Sequence, residues 1–344
     1  MTGNRSLPTR TLPTRALPAR ALPSLPLLLL ALVALVTAGC GGTAAKPQAA
    51  ATAAGFPVTV ANCGVTTTYK APPRRAVTLN QHATEIMLAL GLERSMVGTA
   101  YLDDAVLPEY AAAYRGIKVL AKEYPSDEAL LSAEPDFVYG GFASAFDDKS
   151  GRGRAALGKA GVNTHLSVEN CPAGPVTMEQ VRAEVRDVGR IFGVGDRADE
   201  LVAAMDGVLE RVRGRVAGVS APRVAVYDSG DKTAFTAGGA GIGNEMIKLA
   251  GGTNVFADLP KRFGDVSFEQ VAERAPDVIL IYDYGDQPVE AKKRFLLGNP
   301  ALKDVPAVRD ERFAVLPLSS TVLGVRVPAA VESLARQLHP GSFK

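Results

Sequence analysis

A short phrase occurs twice in this chain and limits what it can fold into. Ser126-Asp127-Glu128-Ala129-Leu130 leads to Pro135-Asp136-Phe137-Val138, and Ser267-Phe268-Glu269-Gln270-Val271 leads to Pro276-Asp277-Val278-Ile279, at a constant offset of 141 residues. Each copy reads as a short helix with an exposed acid in its first turn, then a Pro-Asp turn and a buried strand. Self-similarity at a fixed offset reports architecture, because a repeated unit demands a repeated packing environment. Two copies this far apart predict two similar α/β lobes, each with one acidic knob, and a cleft between them of the kind that binds small molecules.

The first 39 residues stand outside that scheme. Arg5, Arg10, Arg15 and Arg20 punctuate a Leu-Pro-rich run without an acid, an apolar stretch runs from Leu25 to Val36, and Thr37-Ala38-Gly39-Cys40 follows. A basic start, an apolar core of about 12 residues and small residues before a cut describe a secretory signal over residues 1–39. That core is shorter than the roughly 20 apolar residues of a spanning helix. A Cys directly after Ala-Gly is similar to the bacterial lipobox, in which that Cys is acylated and becomes the mature N-terminus. Thr37 departs from the usual Leu or Val, so an ordinary cleaved signal with Cys40 as a free thiol is the other reading. The long five-residue Leu-Pro-x-Arg repeat also leaves a later start open. Residues 40–55, an acylated Cys40 followed by an Ala-rich tether, have no apolar periodicity. Acyl chains on Cys40 would hold them to a membrane face.

Removing the four arginines of the first 39 residues takes the formal charge from +2 to −2. No basic stripe remains, which argues against nucleic acid as a partner. Besides Cys40 the chain has Cys63 and Cys171. In an exported protein an even pair reads as one disulfide, with two unpaired buried thiols as the alternative.

From residue 56 onward, β-rich apolar runs alternate with helical periods, which implies mostly parallel sheets covered on both faces. Val58–Val60 and Val65–Tyr69 read as a hairpin about Asn62-Cys63-Gly64. Strands are expected at Ala76–Leu79, Val97–Ala100, Val119–Leu120, Phe137–Tyr139, Val224–Tyr227, Val278–Tyr282 and Phe313–Leu316. Helices are expected over Thr84–Leu90, Met178–Phe192 and Asn244–Ala250. A longer helix over Ala198–Val216 carries Leu201, Met205, Val208, Leu209 and Val212 on one stripe. The resulting division is an N-terminal lobe at 56–195, a spine helix at 196–218 and a C-terminal lobe at 219–344.

The pattern resembles the substrate-binding lipoproteins of ABC importers, in the iron–siderophore and cobalamin class. The resemblance is carried by Arg75–Gly91, the doubled Glu…Pro-Asp phrase and Gly243–Phe256, behind the lipobox. It implies two Rossmann-like lobes joined by a long helix, a ligand held between them, and a monomer on the extracytoplasmic face. It also implies a permease dimer with its ATPase as partner. By motif position Glu128 and Glu269 would dock onto that permease. A first-turn carboxylate is also favoured by the helix dipole alone, so a purely local role for either acid is the alternative.

Open α/β sheets bind ligands beyond the carboxyl ends of their strands. The candidates there are Asn80, Gln81, His82, Tyr101, Asp103, Lys122, Tyr124 and Phe142 in the first lobe. In the second they are Asp231, Lys232, Arg262, Phe263, Tyr282, Tyr284, Ser320 and Arg326. Rings, cations and acids together suit a bulky, partly planar or anionic complex. His82 has two readings, a ligand to a metal inside a bound complex or a loop histidine hydrogen-bonded to backbone or to a ligand oxygen. With three histidines in the chain, a dedicated ion site is not expected. Gly238–Gly243 is similar to a phosphate-cradling loop, although a lone glycine cluster is a weak signal. No intrinsic cofactor and no catalytic motif are expected. The sequence favours capture of a ferric siderophore-like complex, with a corrinoid or haem as alternatives. An exported α/β enzyme or ligand sensor without an importer is the reading of a different class.

Overall fold

The computed structural model describes residues 53–171, 174–285 and 287–344, and within them the alternating pattern becomes two parallel sheets. The expected signal, Cys40 and all but the last three residues of the tether lie outside the described residues.

The N-lobe opens with an antiparallel hairpin, β1 (Val58–Asn62) and β2 (Val65–Tyr69). Cys63 and Gly64 at its tip have φ of 46° and 81°, the doubly left-handed turn whose twist suits a hairpin. Asn62 belongs to β1, and its side chain exchanges two 2.8 Å hydrogen bonds with the Leu166 backbone. Cys63 is joined to Cys171 by a disulfide. The lobe's sheet follows: β3 (Ala76–Leu79), β4 (Met96–Ala100), β5 (Val119–Ala121), β6 (Phe137–Gly140) and β7 (Asn163–Leu166). Its order is β5-β4-β3-β6-β7, all parallel. Every residue of β3 and β6 is buried, as expected when helices cover both faces. Strand order reverses between these two, which places a crevice at their carboxyl ends.

The C-lobe contributes β8 (Arg223–Tyr227), β9 (Ala234–Ala237), β10 (Thr253–Asn254), β11 (Phe263–Val266), β12 (Val278–Asp283) and β13 (Phe313–Pro317). Four of them form a parallel sheet ordered β10-β8-β12-β13, which reverses between β8 and β12. The antiparallel pair β9 and β11 is absent from the sequence reading, because Ala, Thr, Gly and Asp dilute both segments below a recognisable apolar run.

A 22-residue helix, Gly195–Val216, joins the lobes and spans about 33 Å. It packs against the N-lobe helix Met178–Ile191 and the C-lobe helix Val327–Leu338. Gly189 allows the first contact, since a Cβ there would lie 2.5 Å from the Ala198 Cβ. The buried stripe is Ala198, Val202, Met205, Leu209 and Val212, whereas Leu201 and Val208 are only half-buried.

The doubled phrase folds alike in both lobes. Ser126 and Ser267 accept the amides of Ala129 and Gln270 at 3.1 and 3.2 Å, capping the helices Asp127–Leu131 and Phe268–Arg274. Glu134 and Ala275, each directly before its proline, take left-handed φ of 46° and 42°. The Asp136 carboxylate accepts the amides of Arg74 and Arg75, and Asp277 accepts that of Arg223, at 2.8–2.9 Å. The Pro-Asp half of the repeat therefore stitches β6 to β3 and β12 to β8.

One buried acid marks the N-lobe core. Glu184 accepts hydrogen bonds from the Tyr139 hydroxyl, the Val168 amide and the Ser167 hydroxyl. Burial pushes its carboxyl from 4.5 to about 7, against the lowering effect of these donors. The unfolded chain therefore ionises first, and stability falls by roughly 3 kcal/mol through this group as pH rises from about 4.5 to about 7. Urea unfolding of Glu184→Gln across that range should show a flatter profile than the parent. A parallel profile would remove Glu184 as the cause. The disulfide closes 108 residues, so Cys63→Ser with Cys171→Ser should lower unfolding free energy by about 3–5 kcal/mol. Denaturation with and without reductant checks that figure, and the double variant should no longer respond to reductant.

Candidate functional site

Residues 318–326, between β13 and the helix Val327–Leu338, reach from the C-lobe into the N-lobe. The Arg326 guanidinium meets Glu85 through two bonds of 2.6 and 2.7 Å, and also reaches the Ala105 carbonyl at 2.7 Å and Ser319 Oγ at 3.0 Å. Ser319 donates to Asp104 at 3.3 Å, and the Leu323 amide donates to Glu169 at 3.1 Å. Gln81 and the Leu107 amide complete the shell of Glu85. Gly324 presses on His82, where an added Cβ would approach to 3.0 Å. Side-chain exposure is 1% for Glu85 and 9% for Arg326. A buried pair is tolerable only when its remaining donors and acceptors are met, and here they are. Of these two expected ligand contacts, Arg326 instead joins the lobes, and Gln81 supports Glu85 and the Asp104–Ala105 backbone within the N-lobe. Ser320 lies beside this contact, half-buried.

Above this floor opens a cavity of about 910 Å³, walled by Phe142, Asn170 and Cys171 of the N-lobe and by Lys261, Arg262 and Phe263 of the C-lobe, with Val322 between them. The glycine cluster explains how the C-lobe wall stands. The amides of Gly238, Gly239 and Ala240 donate to the carbonyls of Arg262, Leu259 and Lys261 at 2.8–3.1 Å. A Cβ on Gly239 would fall 2.0 Å from the Ala257 oxygen. These amides grip protein and are not free to cradle a phosphate. Arg262 reaches across the cleft, its Nη2 donating to the Cys171 carbonyl at 3.0 Å. Phe263 stacks on Phe235 with centroids 5.6 Å apart.

On the opposite side Asn80 ends β3 at φ 84°, ψ 156°, backbone nearly reserved for glycine and found at functional sites. Its Oδ1 accepts from the amides of Gly141 and Phe142 and from the Tyr124 hydroxyl, at 3.1–3.3 Å. The strain thus fixes where Phe142 enters the cavity wall. Tyr101, at φ 58°, sets its ring edge on Tyr124 at 4.6 Å. His82 donates from Nε2 to the Gly141 carbonyl at 3.0 Å and touches Phe142 at 5.0 Å. Burial pushes its pKa down to about 4, so the ring is neutral. The backbone-bonded reading of His82 is the one observed.

Two corrections concern exposure. Asn80, Gln81 and His82 are buried, because the floor loop and the Phe142 turn close over them. Tyr282 lies in β12 as expected, but it is fully buried and does not line the cavity. Tyr284 is held over a buried cation: Lys292 donates to the carbonyls of Asp228 and Tyr282 at 2.7 and 2.6 Å, 4.5 Å below the Tyr284 ring. The Tyr284 hydroxyl donates to Asp228. The chain's own ammonium thus bridges the carboxyl ends of β8 and β12. Asp103, Lys122, Asp231 and Lys232 are exposed, and none lines the cavity. Phe142, Arg262 and Phe263 are the candidates that the structure brings together; Glu85, Glu169 and Lys261 went unread in the sequence.

Glu128 and Glu269 occupy the same place, the second residue of their capped helices, and both are exposed. The Glu269 carboxylate is lowered by its own amide and by Ser267, as the amino end of a helix favours negative charge.

The family model described as periplasmic binding protein matches residues 77–319. This chain belongs to the periplasmic binding protein family. It is 27% identical over 322 residues to an uncharacterised ABC transporter substrate-binding lipoprotein of Bacillus subtilis, covering 92% of this chain and 96% of the relative. Among solved structures, a periplasmic binding protein from Veillonella parvula superposes with a TM-score of 0.77 at 31% identity, over 82% of this chain and 97% of that one. An ABC-type Fe3+-hydroxamate transport system from Saccharomonospora viridis gives 0.68 at 30% identity, over 84% and 99%. This periplasmic binding protein is thus the substrate-binding component of an ABC transporter, on the extracytoplasmic side.

Breaking the lobe contact from one side leaves a buried charge unmatched. Arg326→Met should therefore cost about 3–5 kcal/mol in urea unfolding, while Glu85→Leu combined with Arg326→Met should recover most of that loss. Equal destabilisation by the single and double variants would show that the pair is not what holds the floor.

Proposed function

We propose that this protein captures an iron–siderophore-like complex between its lobes and delivers it to a permease dimer driven by an ATPase. The observation that carries this reading is the inter-lobe cavity of about 910 Å³, a size suited to a chelate and far beyond a bare ion. Phe142 and Phe263 offer ring faces, and Arg262 and Lys261 offer donors for oxygen anions. Among the described residues no three His, Cys, Asp or Glu converge to hold a naked ion. The likeness to the Fe3+-hydroxamate system of Saccharomonospora viridis supports a ferric chelate. The buried floor and the spine helix hold the lobes, so capture needs only a small closure.

Delivery follows from the repeat. Glu128 and Glu269, one per lobe, form a two-point charge match for arginines of the permease. The Cys40 lipid anchor keeps the protein at the membrane. Reversing both acids to Lys should abolish uptake of radiolabelled iron chelate by cells while the purified protein keeps its ligand affinity; unchanged uptake removes the docking role. Cys40→Ala should move the protein from the membrane fraction to the medium, and continued membrane retention would contradict the anchor.

A further inference from the structure

We infer that the cargo is an anionic chelate whose metal is already fully coordinated by its own chelator, held by its periphery between the Phe142–Phe263 faces and the Lys261–Arg262 wall. This rests on the reading of the cleft as the cargo site, and it narrows that reading from two observations about the wall.

The first is charge. Four ionisable side chains line the cavity: Glu169, Asp258, Lys261 and Arg262. Asp258 is neutralised by Arg274, with paired oxygens and nitrogens at 2.8 Å on one side of the fork. Glu169 is almost fully buried at the floor, with its carboxylate on the Leu323 amide. Lys261 and Arg262 form no salt bridge among the described residues. Arg262 spends one nitrogen on the Cys171 carbonyl and keeps further donors, since a guanidinium carries five. The charge of Arg262 acts on Glu169 and Arg274 offsets Asp258, so Lys261 supplies the net positive charge of a partly enclosed space. Such a charge favours anions and penalises a cationic cargo.

The second is coordination chemistry. A protein that ligates the metal of its cargo needs an uncommitted imidazole, phenolate, thiolate or carboxylate in the wall. Among the described residues the wall holds no His, Tyr or Met, and its cysteine is in the disulfide. Both carboxylates are committed as described. The Asn170 amide is committed too, donating to the Gly141 carbonyl at 2.8 Å and accepting from the Ala143 amide at 3.2 Å. His82, the residue with the right chemistry, is buried beneath Phe142 with its Nε2 proton on Gly141. The wall therefore reads the chelator's outer surface and leaves the metal's inner shell alone.

The test uses one trihydroxamate chelator with three tails: its free terminal amine, the acetylated amine and the succinylated amine. Metal and donor set stay fixed while the tail passes from cationic through neutral to anionic. Equilibrium dialysis of the full-length protein should rank the ferric complexes succinylated, acetylated, amine. Lys261→Gln, a surface change, and Arg262→Gln should each weaken the succinylated complex by about tenfold and the acetylated one far less. The substitution-inert Cr(III) complex should bind as tightly as the Fe(III) one, because no ligand has to enter. Cyanocobalamin and haemin complete the panel. Equal affinity across the tails, or binding of cyanocobalamin alone, overturns the anionic assignment and leaves the importer role standing. Fe(III) binding without Cr(III) binding, or binding of haemin alone, overturns the coordinated-metal assignment. If no member of the panel binds, the proposed function itself fails, and this inference with it.

Discussion

The two-lobed architecture depends on a buried ion pair contributed from opposite ends of the chain. Glu85 lies in the first helix of the N-lobe and Arg326 opens the last long helix of the C-lobe, 241 residues later. Placing both charges out of water is costly, and the return is geometry: a bidentate fork has one good orientation. That orientation fixes the floor segment, and the floor fixes the spacing of the cavity walls. A flexible hinge would leave the two walls to find each other when cargo arrives. Here the spine helix and the forked pair set that spacing beforehand, which reduces the ordering cost of binding.

Strain and close packing are concentrated at the same place. Asn80 and Tyr101 hold left-handed backbone at the ends of neighbouring strands β3 and β4, and Gly238 and Gly239 sit where no Cβ fits. Strained residues persist only where surroundings over-determine them. In the N-lobe the Asn80 side chain repays the strain with three hydrogen bonds that aim the Phe142 turn. In the C-lobe the crowded glycine amides support the segment bearing Arg262. Each lobe presents one ring to the cavity and the C-lobe adds two cations, although their sheets are built on the same plan.

Much of the fold was legible because its signals are local. The β3 run, the hairpin and the spine helix follow from apolar period and turn residues, and the doubled phrase announced two lobes. The site was less legible, for reasons visible in particular residues. Arg326 looked like a ligand contact because its partner is 241 residues away, and no periodicity pairs distant charges. The available signal was Glu85 itself, a lone acid inside a helix whose residues Gln81–Leu88 are all buried. Tyr282 looked like a contact at the strand's carboxyl end, but β12 runs on to Asp283 and keeps its ring inside. Lys261 escaped attention beside Arg262, since a surface lysine in a loop carries no pattern. The Pro-Asp half of the repeat proved to be architecture, and the first-turn acids stay exposed.

The disulfide has a consequence in time as well as in space. All five strands of the N-lobe sheet lie between Cys63 and Cys171. In a chain that folds outside the cytoplasm, the first cysteine waits through the whole of that sheet before its partner is in place. When the bond closes, it fixes Cys171, whose carbonyl receives Arg262 from the other lobe. Oxidation thus seals the N-lobe at the point where the C-lobe docks, and the bond serves as a covalent record that the binding wall is complete.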